Sequence, residues 1–122
     1  MTVKNVSYET IEEIQDLALE ESKGFRPDGV NKKVQLQGHW VDLYDSVFKF
    51  KATARIRRRE GSWDNYYVLF IKYHGRVYVN IRFRNFTADK EKEIPLEKAP
   101  KYVQEIIGIC IEYIDCGKRV TA

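Results

Sequence analysis

Apolar positions recur along this chain with two different periods. In residues 8–23, Ile11, Ile14, Leu17 and Ala18 follow helical spacing with glutamates between them, which predicts an amphipathic helix. Thr10 and Glu13 have capping-box spacing, and Ser7 is a rival N-cap. Gly24 stops the helix, Pro27 keeps it from resuming, and GFRPDGVN (24–31) reads as a loop. From residue 32 the period falls to two. Residues 32–37 and 40–45 predict a hairpin turning at Gly38-His39. In 46–58, the clearest strand, Phe48, Phe50, Ala52, Ala54 and Ile56 point one way, and Lys49, Lys51, Thr53, Arg55 and Arg57 the other.

The turn RREGSWD leads to a strand at 66–73, a two-residue loop at His74-Gly75 and a return strand at 76–86. Pairing Tyr73 with Arg76 sets Ile71 against Tyr78, Leu69 against Asn80 and Tyr67 against Arg82. Tyr66, Val68, Phe70, Val77, Val79, Ile81 and Phe83 then face the core. Tyr67, Tyr73, Tyr78, Asn80, Arg82 and Arg84 share the other face; a slip of one residue would exchange the faces of one strand. A charged loop at 87–94 with a short strand at Glu93–Leu96 precedes a last helix from Pro100 to Cys116. Its stripe is Val103, Ile106, Ile107, Cys110 and Ile114, Pro100 suits its first turn and Gly117 its C-terminal cap. The expectation is one α+β domain over 1–122: an antiparallel sheet of five or six strands (32–96) flanked by an N-terminal helix (8–23) and a C-terminal helix (100–116).

Charge adds a location to this outline. The chain has 122 residues and a net charge of +3, unevenly spread. Residues 1–48 carry five Lys or Arg against nine Asp or Glu, residues 49–86 ten against two, and residues 87–122 six against seven. A basic middle block favours an anionic partner and raises its on-rate. The alternative is a solvated sheet face balanced by carboxylates from the helices. No apolar stretch approaches the roughly 18 residues that span a membrane, and the start lacks an apolar signal region. Cys110 and Cys116 read as reduced thiols, so a cytoplasmic protein is expected.

Catalytic signatures are weak. His39 and His74 sit beside glycines in predicted turns, Cys110 falls on a core stripe, and no Gly-rich phosphate loop, nucleophile elbow or zinc-spaced ligand set occurs. The acidic residues of the first helix read as its solvent side. No enzyme activity, metal or cofactor is expected. The basic and aromatic sheet face is the candidate site: Lys49, Lys51, Arg55, Arg57, Tyr67, Tyr73, Tyr78, Asn80, Arg82 and Arg84. Arg forks match phosphate oxygens, and Tyr rings give bases stacking platforms worth about 1–3 kcal/mol each.

Two resemblances bear on the ligand. The stretch YVLFIKYHGRVYVNIRFRNF, a charged loop and EIPLEKAPKYVQEIIGICIEYI (within 66–114) resembles part of the single-stranded-DNA-binding fold of transcriptional positive cofactor four. The whole layout, with its size, helix–antiparallel sheet–helix order and Arg with aromatics on the strands, resembles viral proteins of the Thoeris anti-defence family. Those proteins sequester cyclic ADP-ribose isomers or cyclic nucleotides. That resemblance implies a non-enzymatic, oligomeric sponge in the host cytoplasm that takes a small phosphate-bearing nucleotide. Single-stranded nucleic acid is the alternative partner.

Overall fold

A computed structural model describes residues 2–21, 29–46, 51–57, 64–85 and 91–116. Lys49, the Phe48 and Phe50 core positions, most of the RREGSWD turn and the Gly24 and Gly117 stop signals lie outside the described residues. So do the side chains of Lys51, Ile114 and Cys116.

The fold is α+β: a mostly antiparallel open sheet with one helix on each face. Strands β1 (Thr2–Asn5), β2 (Gly29–Leu36), β3 (His39–Ser46), β4 (Lys51–Arg57), β5 (Asn65–Tyr73), β6 (Arg76–Arg84) and β7 (Lys92–Glu93) are joined by helices α1 (Tyr8–Glu21) and α2 (Lys101–Cys116). The sheet runs β1-β6-β5-β4-β3-β2, with β7 also on β6. It therefore has seven strands rather than five or six. The extra one, β1, pairs in parallel with the first half of β6, and β7 takes the second half of the same edge. Four residues of β1 are too short for a periodic signal, and only β6 gives them a partner.

The two hairpin turns within the described residues each use a pair of residues with positive φ. At His74-Gly75 the angles are 50° and 75°, and at Gln37-Gly38 they are 50° and 77°. The first hairpin thus turns one residue before the expected Gly38-His39. Two successive positive φ angles define the type I′ turn, which suits glycine at its second position. Two further boundaries move. β2 begins at Gly29, inside the expected loop 24–31. The short strand is Lys92–Glu93, and Leu96 opens a 3-10 turn.

The β5–β6 register matches the expected pairing at each position: Tyr73 with Arg76, Ile71 with Tyr78, Leu69 with Asn80, Tyr67 with Arg82. One face holds the main core. Leu36, Val41, Leu43, Ala54, Ile56, Val68, Phe70, Val77, Val79 and Ile81 meet Val103, Ile106, Ile107, Cys110 and Ile111 of α2. Each fully buried aliphatic or aromatic side chain stabilises the fold by about 1.5–3 kcal/mol. His39 belongs to this face. It begins β3 and stacks on Tyr102 of α2 with centroids 3.8 Å apart and planes within 7°.

The opposite face has a smaller core of Ile11, Leu69 and Ile71, flanked by Val6, Tyr8, Ile14, Tyr73 and Tyr78. Ser7 caps α1: its Oγ accepts the Thr10 N–H (3.2 Å), and its carbonyl accepts from Ile11 (2.9 Å). α1 packs on β5 and β6. On the same face, Thr53 of β4 shares a cavity with α1, and the main contacts of α1 stay with β5 and β6. No helix among the described residues is long and apolar enough to cross a membrane.

Candidate functional site

Strand register assembles the face under α1 into a row across six strands. Lys33 lies opposite Asp42, Asp42 opposite Arg55, Arg55 opposite Tyr67, Tyr67 opposite Arg82, and Arg82 opposite Glu93. Opposed residues share a face of the sheet, so cations, acids and one aromatic alternate along this row. Arg57, Asn65 and Arg84 form the next row.

Arg82 is the centre of the arrangement. Its guanidinium lies 4.3 Å from the Tyr8 ring centroid and 6.0 Å from that of Tyr67. Nη1 donates to Glu91 Oε2 (2.5 Å), and its side chain is 19% exposed. Nε is buried with no hydrogen-bond partner. An unmet donor on a buried guanidinium packed against a ring costs free energy.

Beside it lies a cavity of about 420 Å³ between helix and sheet. Tyr8, Glu12, Gln15 and Asp16 of α1 form its wall, and Thr53, Leu69 and Arg82 its floor. The first-helix carboxylates are solvent-exposed, as expected, and two of them, Glu12 and Asp16, also line this cavity. The Ile11/Ala18 stripe that seats α1 places these two residues on the flank next to β4. The Glu12 carboxylate, bonded to the Tyr8 hydroxyl, raises the Tyr8 pKa; partial burial adds to this and Arg82 opposes it. Glu21, exposed at the end of α1, accepts from Tyr73 Oη (3.0 Å) and His74 Nε2 (2.9 Å), and its pKa is lowered mainly by His74.

The expected site residues separate into three groups. Arg82 lines the cavity with the Tyr67 ring centroid 6.0 Å from its guanidinium, and Arg55 lies opposite Tyr67 on the next strand. Arg55 is already engaged, since its Nε donates to Asp42 (2.9 Å) and a second nitrogen bonds the same oxygen. Tyr73 and Tyr78 pack beneath α1 instead of offering open rings. Asn80 is 1% exposed and serves the fold: its Nδ2 donates to the Val6 carbonyl (3.0 Å) and to Glu93 (2.7 Å). Glu93 in turn accepts the Tyr8 N–H at the start of α1 (2.5 Å). Arg57 and Arg84 lie on the outer row without an ion pair to any described residue, and the Lys51 backbone stands opposite Ile71.

Sequence reasoning missed Tyr8, Glu12, Asp16 and Thr53, since nothing in the chain says which face α1 covers. The i, i+4 spacing of Tyr8, Glu12 and Asp16 was the available signal. It also missed Trp40 and Tyr44 on the uncovered part of this face, where Lys33 lies 5.5 Å from the Trp40 ring centroid. Comparison of the chain with protein-family models, with curated proteins and with solved structures gave no match.

Proposed function

We propose that this protein binds a small phosphate-bearing nucleotide without turning it over, in the cleft between α1 and β4–β6. The observation that carries the reading is Arg82: a planar cation stacked by Tyr8, with an unmet Nε–H, at the edge of a cavity of about 420 Å³. Arg forks match phosphate oxygens, and Tyr67 offers a ring to a base. Glu12, Asp16 and Thr53 supply acceptors for ribose hydroxyls or base amino groups. The role as a sponge for a cyclic ADP-ribose-type or cyclic nucleotide signal, the viral origin and the host-cytoplasmic location rest on resemblance of layout and belong to this proposal.

Calorimetry with a cyclic ADP-ribose isomer, a cyclic dinucleotide and oligothymidine tests it. A charge-assisted hydrogen bond is worth about 1.5–3 kcal/mol, so Arg82→Ala should weaken binding roughly 10- to 100-fold. Thr53→Phe should do the same by filling the floor while leaving Arg82 in place. Failure of wild type to bind any of the three at millimolar concentration rejects the reading.

A second reading, single-stranded nucleic acid, is favoured by Trp40 and Tyr44 with Lys33 and Arg57 on the uncovered strands. Affinity that climbs with oligothymidine length and falls steeply with salt would select it.

A further inference from the structure

The face under α1 is built as a step. The main contacts of α1 are with β5 and β6, and β2–β4 extend beside it. A helix laid on a sheet stands about 10 Å above it. The lower level is polar but not uniformly so. Tyr44, 50% exposed, lies opposite Thr53 on the same face as Leu69, and Trp40 and Lys33 follow on β3 and β2. With Asp42 engaged by Arg55, Lys33 and Arg57 leave this level basic.

The upper level is the outward side of α1. Leu17, 47% exposed, stands there among the exposed Glu9, Glu13 and Glu20. Tyr44 and Leu17 are two of three large hydrophobic side chains exposed among the described residues, the third being Val3 on the β1 edge. One level is therefore an acidic ridge around a leucine, and the other a basic shelf around a tyrosine and a tryptophan.

We infer that two copies of this chain pair face to face about a two-fold axis, each seating its α1 on the partner's β2–β4 shelf. The two helices then share one layer between two sheets. The charges are complementary, ridge to shelf, and the contact occurs twice because an isologous interface repeats each pairing. Leu17 and Tyr44 are buried together with the rim of Trp40. This inference does not depend on the nucleotide reading. It is incompatible with the single-strand reading, which needs the same shelf open.

Light scattering and sedimentation of the intact protein at micromolar concentration should give twice the mass of 14.4 kDa. Leu17→Asp and Tyr44→Asp, both surface changes, should each shift the protein to monomer with an unchanged circular dichroism spectrum. A photo-crosslinking residue at position 44, in an equal mixture of isotope-labelled and unlabelled protein, should yield mixed-isotope links to the peptide 8–21. A monomeric wild type overturns the inference. So does a dimer that persists in both variants, or one whose mixed links run to α2. A monomer whose Trp40 fluorescence is quenched by oligothymidine overturns it in favour of nucleic acid on the shelf.

Discussion

The two faces of the sheet carry helices of similar length, 14 residues in α1 and 16 in α2, and are held by different physics. Under α2 the side chains are almost all aliphatic or aromatic, and stability there follows from area removed from water. Under α1 the fully buried apolar set is small, Ile11 with Leu69 and Ile71 edged by the partly buried Val6, Tyr8, Ile14, Tyr73 and Tyr78, and polar contacts make up a larger share. That side is held by Glu93 at the start of α1, Asn80 beneath it, Arg82 against Tyr8 and Glu91, and Glu21 on the β5–β6 turn. Burying polar groups costs free energy unless each finds a partner, so such a face specifies a position for its helix more than it adds stability. The cavity and the unmet Arg82 donor lie on this face, where a ligand has the most to change.

The two faces should differ most in the cost of truncating their core side chains. Phe70→Ala should lower the unfolding free energy by about 3–5 kcal/mol in urea titration. Ile11→Ala on the other face should cost less, about 2 kcal/mol, and should raise hydrogen exchange in α1 before α2. Equal costs, or simultaneous exchange of both helices, would mean that the two faces are one cooperative unit. Asn80→Ala leaves the Val6 carbonyl and Glu93 without their amide donor and should cost about 1.5 kcal/mol. Its signature is increased exchange at Tyr8–Ile11 with the α2 amides unaffected.

A smaller effect of opposite sign is expected on the outside of α2. A Cβ at the helical Gly108 meets nothing within 4 Å, so Gly108→Ala should stabilise by about 1 kcal/mol in the same titration. Cys110 reports on the α2 face in the unmodified protein. Burial beneath α2 raises its pKa to about 12, against about 8.5 in an unfolded chain. A raised folded pKa contributes stability that is fully present below about pH 8.5 and is lost as pH climbs toward 12. At neutral pH the native thiol should resist alkylation and react only at the rate of unfolding; rapid alkylation of folded protein would contradict the burial.

Local alternation was enough to determine much of this molecule. The apolar set Val68, Phe70, Val77, Val79 and Ile81 can face the core in only one register, because a slip of one residue moves a whole strand to the other side. The same argument gave the faces of Ala54 and Ile56 against Arg55 and Arg57, and the α2 stripe at Val103, Ile106, Ile107 and Cys110. The Arg82–Tyr67 pair was legible for that reason. Decided only in three dimensions were the parallel strand β1, the seating of α1 over β5 and β6, and the partners that engage the basic block: Asp42, Glu91 and Glu93, with Glu12 and Asp16 across the cavity. Periodicity records which side of an element is buried, and carries no information about which other element buries it. Residues 74 or more positions apart, such as Asn80 and Val6, meet only because the sheet brings them together.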